Sequence, residues 1–131
     1  MVTKLKLDSY ISINHSFVSH KETLLSLSKT DLIVFPYQFS NESASGAVRQ
    51  GISSKTPVAV TPLPIFDDVS EVVHRLPGFT PQDIADGIIF LLDNKSINSS
   101  DQKIKEWIDL HKFSKLAGRL IGLIRSLEIN S

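Results

Sequence analysis

Short apolar runs separated by amphipathic segments are the main pattern of this chain. Alternation at residues 10–13 predicts a strand in which Ile11 and Ile13 face inward. An almost unbroken apolar run at residues 31–35 is typical of a strand buried on both faces of a parallel sheet. The β-branched run at residues 57–61 predicts a further strand of the same kind.

Amphipathic segments between and after these runs predict helices. Ser19 and Glu22 have the spacing of a capping box, which predicts a helix that ends near Ser28. A second start signal is Thr80, followed by proline at the first helical position. Further helices are expected at residues 46–52, 66–73, 81–92, 104–108 and 113–127, with a short strand or turn at 76–79 and a polar linker at 94–100.

The order of these elements predicts the fold class. Strand, helix and strand in succession favour right-handed crossovers in an α/β sheet. We expect a single domain over residues 1–131, with a three-layer, Rossmann-like fold and a partial parallel sheet of about three or four strands. Helices flank this sheet, and the helices of residues 99–128 are expected to form a C-terminal hairpin.

Composition narrows the classes of function. Of the 131 residues, 41% are hydrophobic and 21% are charged, which indicates a globular domain. Fourteen basic residues balance fourteen acidic ones, so we expect no non-specific binding to nucleic acid or to an anionic membrane. The absence of cysteine excludes disulfides and suits the cytoplasm. No apolar run approaches the roughly 18 residues of a spanning helix, so no transmembrane segment is expected.

Two loops are candidate ligand sites because they follow predicted strands, at residues 36–46 and 61–68. Ligands of open parallel sheets bind beyond the carboxyl ends of the strands, where helix N-termini offer unpaired N–H groups. The first loop places Glu42 beside a run of small residues that ends at Gly46. A carboxylate can orient sugar hydroxyls while helix amides stabilise a phosphate, so this pairing suits a sugar attached to a diphosphate.

The central part of the chain resembles a known family. Residues 30–37, Glu42 and residues 50–60 are similar to the C-terminal half of a GT-B glycosyltransferase of the retaining family 4 type. In that family an aspartate-led strand ends in proline, an E-x7-E motif follows, and a small-residue helix runs into a G-T-P-V strand. The resemblance covers about residues 10–125. It implies transfer of a hexose from a nucleotide diphosphate sugar, with retained configuration, in glycan or surface polysaccharide synthesis.

The resemblance also implies the roles of individual residues. Glu42 stands at the first glutamate, as the catalytic residue that holds hydroxyls of the donor sugar. Gln50 stands at the second glutamate, whose carboxylate accepts hydrogen bonds from the ribose. The implied substrate-binding residues are Ser43, Ala44, Ser45, Gly46, Ala47 and Gln50. The nucleotide sugar is the expected partner, and no metal or other cofactor is expected.

Several features depart from the family pattern. Ser45 replaces a glycine, and residues 64–68 replace a Gly-Gly-x-Pro-Glu loop. A basic pair that neutralises the diphosphate and an acceptor-binding domain do not fit before Tyr10. The resemblance therefore implies a partial domain whose partner is an N-terminal glycosyltransferase domain or a second copy of the chain. The absent strands would lie between the segments at 10–13 and 31–35, which leaves sheet edges open.

Other interpretations of the chain stay open. It can be a non-catalytic assembly module that pairs with another subunit or with itself. Arg49 can approach a phosphate or lie solvated on its helix. Asp67 and Asp68 are explained by the favourable position of acids at a helix start, without a metal. A signalling receiver would need an aspartate at the carboxyl end of a strand, whereas Asp31 lies at the other end.

Overall fold

Three short strands, β1 (Ile33–Phe35), β2 (Val58–Val60) and β3 (His74–Arg75), form a parallel sheet in that order. The structure, a computed structural model, describes residues 3–94 and 101–129 of the chain. In the register, Ile33 lies opposite Val58, and Ala59 lies opposite His74. The predicted α/β class with a parallel sheet is confirmed in this form.

Helices occupy most of the rest of the described chain. They are α1 (His20–Leu27), α2 (Gly46–Ser53), α3 (Pro81–Asp93), α4 (Asp101–Leu110) and α5 (Phe113–Ile129), with 3-10 segments at Thr3–Leu5 and Pro64–Val69. The predicted capping box of α1 is present, with Ser19 and Glu22 as its members. Residues 95–100, which include most of the predicted polar linker, lie outside the described residues.

The strands bury their side chains alternately in two apolar clusters. Ile33, Val58 and Val60 belong to the larger cluster, which α2, α4 and the 3-10 segment complete. Ala59, between the two valines of β2, belongs to a smaller cluster with Leu91 of α3. Side chains of a strand point to opposite faces in turn, so the sheet is covered on both sides. This double burial explains the unbroken apolar character of the strand sequences.

The predicted strand at residues 10–13 is wrong. Tyr10 lies in a turn, the following residues have no regular structure, and Ile11 and Ile13 are 42% and 60% exposed rather than turned inward. A strand requires a neighbour that accepts its backbone hydrogen bonds. In the described part of the chain no strand is placed beside this segment, since the sheet contains only β1, β2 and β3. Alternation of side chains alone does not supply that neighbour.

Two other boundaries differ from the sequence predictions. The helix expected at residues 66–73 is a 3-10 segment that ends at Val69. The third strand lies at His74–Arg75 instead of residues 76–79, although the N–H of Leu76 still donates to the carbonyl of Val60. Leu76 is buried, whereas Phe79 is exposed next to the start of α3. The apolar pattern thus predicted a strand in this part of the chain but not which residues form it.

The capping box of α3 gives a pH-dependent prediction. The hydroxyl of Thr80 donates to Oδ2 of Asp83 at 2.7 Å, and this bond, with that of the Thr80 N–H, lowers the pKa of Asp83. A carboxyl with a lowered folded-state pKa stabilises the fold above its unfolded value and loses that effect as the pH falls through the folded value. We expect the urea midpoint to fall as the pH drops below roughly 4, the ordinary pKa of an aspartate, and on through the lower folded-state value. Asp83→Asn should reduce that fall.

The matched control is Asp31→Asn, because Asp31 is exposed and forms no hydrogen bond with the described residues. It removes the same charge without removing a hydrogen bond, so at neutral pH it should lower the urea midpoint less than Asp83→Asn does. Thr80→Ala removes the cap itself and should lower the free energy of unfolding by about 1 kcal/mol at neutral pH. Equal pH slopes for the wild type and Asp83→Asn in urea titrations would contradict the assignment.

Candidate functional site

The carboxyl ends of β1 and β2 are tied together by a buried threonine. Thr61 follows β2, is fully buried, and donates its hydroxyl to the carbonyl of Tyr37 at 2.6 Å. The ring of Tyr37 packs against Phe66, with centroids 5.5 Å apart, and meets Phe35 edge-on. The start of the loop between β1 and α2 is therefore fixed to the core. The sequence pattern placed Thr61 at the end of the predicted strand of residues 57–61 and gave no signal for its contact with Tyr37.

Ser45 is the N-cap of α2. It is buried, and its Oγ accepts a hydrogen bond from the N–H of Val48 at 3.3 Å and lies 3.3 Å from the hydroxyl of Tyr37. The cap is Ser45 and not the nearby Ser43. These two contacts hold the start of the helix.

The first turn of α2 presents unpaired backbone donors. Gly46 and Ala47 are exposed, and their N–H groups have no hydrogen-bond partner among the described residues. A side chain at Gly46 would meet no atom within 4 Å, so the space beside it is open. Unpaired N–H groups and the positive end of the helix dipole together favour anions at such a position.

Glu42 lies in the loop before this helix. It is exposed, and its backbone N–H donates to the hydroxyl of Ser40 at 3.2 Å. Its carboxylate has no hydrogen-bond or ion-pair partner within residues 3–94 and 101–129. Ser43 and Ala44, between Glu42 and the cap, are also exposed. The structure thus places Glu42 and the small residues in one solvent-accessible loop at the carboxyl end of β1.

Gln50 lies one helical turn after Gly46, so the two residues share a face of α2. Its Nε2 is 3.0 Å from Nδ1 of His20, the first residue of α1. Gln50 is half-buried, and its amide links α1 and α2. The amide oxygen has no protein partner among the described residues, which leaves one acceptor.

Two arginines beside this region are paired with acids. Arg49 donates Nη1 to the carbonyl of Ser45 at 3.1 Å, and its Nη2 is paired with Asp68. Arg75 of β3 is paired with Asp67. Both acids therefore connect the 3-10 segment to neighbouring elements. Among the described residues, no three His, Asp or Glu side chains are grouped in a way that could hold a metal ion.

A cavity of about 710 Å³ lies away from the predicted site, between β3 and α3. Its lining includes His74, Arg75 and Phe90, and none of the predicted site residues. Burial lowers the pKa of His74, which favours the neutral imidazole. No sequence pattern indicated this cavity: its walls all come from residues 70–91, but its shape depends on how α3 packs beside β3.

No protein-family model matches this chain, and a search of curated proteins finds no significant match. Within the described ranges, none of the helices has the length and apolar character needed to cross a bilayer.

Proposed function

We propose that the chain is the nucleotide-sugar donor-binding part of a retaining glycosyltransferase that acts in glycan or surface polysaccharide synthesis. One observation carries the proposal. The N-terminus of α2, capped by Ser45, presents the unpaired N–H groups of Gly46 and Ala47 at the carboxyl end of a parallel strand, four residues after the exposed carboxylate of Glu42. This arrangement offers a donor for phosphate oxygens and an acceptor for sugar hydroxyls side by side.

Each group then has a defined task. Glu42 accepts hydrogen bonds from hydroxyls of the donor sugar and fixes its orientation. The amides of Gly46 and Ala47 stabilise the negative charge that grows on the diphosphate as the glycosidic bond breaks. Gln50, on the same face of α2, offers its amide oxygen to the ribose while its nitrogen stays on His20. Ser43 and Ala44 allow the sugar to approach the loop backbone.

The proposal includes a partner that completes the sheet and the charge balance. Arg49 is engaged by Asp68, so the cations that neutralise a diphosphate come from elsewhere. A further strand beside β1 would extend the sheet to a fourth strand and complete a three-layer, Rossmann-like fold. That strand and the cations would be supplied by an N-terminal glycosyltransferase domain or by a second copy in a homodimer. The location is cytoplasmic, in keeping with the absence of cysteine.

Isothermal titration with a panel of nucleotide diphosphate sugars tests the donor site. We expect one donor to release heat and Glu42→Ala to weaken its binding at least tenfold, because charge-assisted hydrogen bonds to the sugar are lost. Glu71→Ala is the matched control, since Glu71 is also exposed and has no hydrogen bond or ion pair within the described ranges. It should bind the donor as the wild type does.

Two outcomes would reject the donor site. The first is an absence of heat with every donor tested. The second is unchanged binding after Glu42→Ala, which would move any binding to another part of the molecule. Equal weakening by Glu71→Ala would assign the effect to overall charge and not to the site.

The open edge of β1 favours a second candidate function, that of a non-catalytic assembly module. In the described residues β1 pairs with β2 alone. A cavity of about 450 Å³ runs beside this edge and is lined by Leu32 and Val34 and by Ile88 and Leu92 of α3. An unpaired edge next to an apolar groove suits the addition of a strand from another polypeptide. No heat in the titration together with a stable dimer in light scattering would favour this function.

A further inference from the structure

The apolar side of α5 is exposed along the whole described helix. Phe113 is 87% exposed, and six more large apolar side chains have about half of their surface exposed: Leu116, Leu120, Ile121, Leu123, Ile124 and Leu127. At about 100° per residue, these seven positions cover an arc of roughly 160°. Two glycines, Gly118 and Gly122, lie on the opposite side of the helix. No atom lies within 4 Å of a side chain added at either of them.

Cations line both margins of this apolar arc. At about 100° per residue, Leu123 and Ile121 form the two ends of the arc. Arg119 lies about 40° outside Leu123, and Arg125 lies about 40° outside Ile121. Neither has an ion-pair partner among the described residues. Lys115 forms an ion pair with Asp109 of α4. Hydrogen bonds from Lys115 and Lys112 lower the pKa of Asp109 to about 2. Within Phe113–Ile129, Glu128 is the one acid against three cations; at about 100° per residue it lies inside the arc, between Ile124 and Ile121, in the last turn of the helix.

We propose that α5 docks on the surface of an anionic phospholipid bilayer, with its apolar arc among the acyl chains and Arg119 and Arg125 at the headgroups. A wide apolar face, a polar face with basic residues and moderate overall hydrophobicity are the properties of helices that lie in a membrane interface. Long cationic side chains at the margins reach the phosphates while their stems cover apolar surface. The whole chain has a formal net charge of zero, so its composition alone does not show the excess of cations on α5.

The width of the apolar arc favours lipid over one partner helix. Phe113, Leu116, Leu120, Leu123 and Leu127 alone have the three-four spacing of a coiled-coil seam. Such a seam is narrower than the arc of α5 and would leave Ile121 and Ile124 in water. A bilayer surface covers all seven side chains at once. Its anionic headgroups also supply negative charge with which Arg119 and Arg125 can pair.

Flotation of the full chain with lipid vesicles tests the proposal. We expect binding to vesicles of phosphatidylcholine containing about one third phosphatidylglycerol, and much weaker binding to phosphatidylcholine alone or at high salt. Leu120→Glu should weaken the binding at least tenfold, because it puts a charge in the apolar arc. The double variant Arg119→Gln/Arg125→Gln keeps the arc intact and should weaken it about thirtyfold.

Leu25→Glu is the matched control. Leu25 of α1 and Leu120 are leucines with the same exposure, 57%, so the same replacement changes surface charge equally outside α5. It should bind the anionic vesicles as the wild type does. Circular dichroism of each variant verifies that the helices are retained.

Three results would overturn the proposal. They are no flotation with anionic vesicles at low salt, equal flotation of the wild type and Leu120→Glu, and equal loss in Leu25→Glu. A dimer in light scattering that Leu120→Glu converts to a monomer, without vesicle binding by the wild type, would assign the arc to a second copy of the chain instead.

Discussion

Replacing Phe66 with alanine is expected to lower the free energy of unfolding by about 3–5 kcal/mol. Phe66 lies in the 3-10 segment, is fully buried and is the largest of the fully buried side chains in the main apolar cluster. Its removal leaves a cavity that the surrounding valines fill only in part. Phe66 also supports the ring of Tyr37, so the start of the loop that carries Glu42 should lose its fixed position.

Urea denaturation followed by circular dichroism measures this effect. Phe39→Ala is the control, because Phe39 lies in the same loop as Glu42 but is 77% exposed. Its loss should change stability by less than about 0.5 kcal/mol. Similar destabilisation by the two replacements would show that Phe66 does not have the central position described for it.

Replacing Gly87 with alanine is expected to destabilise the fold by about 1–3 kcal/mol, although alanine is the better helix former. A Cβ at Gly87 of α3 would lie 2.6 Å from Cδ2 of Leu76 and 2.8 Å from Cδ of Pro77. The proline ring cannot rotate away, so α3 would have to move off the segment that follows β3. That movement would open the smaller apolar cluster, in which Leu76 is buried.

Gly122→Ala in α5 is the matched control for this prediction. It makes the same change inside a helix, but a side chain there meets no atom within 4 Å. Without crowding, alanine should stabilise the helix by up to about 1 kcal/mol. The two variants are therefore expected to shift the urea midpoint in opposite directions. A rise of the midpoint in Gly87→Ala would mean that α3 and Pro77 are not in close contact.

Local patterns in the sequence predicted the elements that depend on local interactions. The caps of α1 and α3 follow from short spacings in the chain, such as Ser19 to Glu22, and the structure contains them. The buried strands β1 and β2 follow from apolar runs that two covered faces require. The strand at residues 10–13 failed because its stability depends on a neighbouring strand, which alternation of side chains cannot report.

The candidate site depends on contacts that no local pattern encodes. The hydrogen bond from Gln50 to His20 joins residues thirty positions apart, and the pair of Arg49 and Asp68 spans nineteen positions. The sequence indicates the loop, the small residues and the acid at Glu42. The ion pair of Arg49 with Asp68 is visible only in the structure. Because this pair engages Arg49, the proposed function needs cations from a partner.

The all-parallel sheet also constrains how the chain can acquire its structure. Ile33 pairs with Val58 and Ala59 pairs with His74, so every ladder contact closes a loop longer than a dozen residues. No two strands of this sheet are joined by a tight turn, so no strand pair can form as a hairpin. The chain loses the entropy of closing a long loop before the first strand pair can form. This is a property of slow-folding topologies. Early helices, with α2 between the first two strands, would shorten that search.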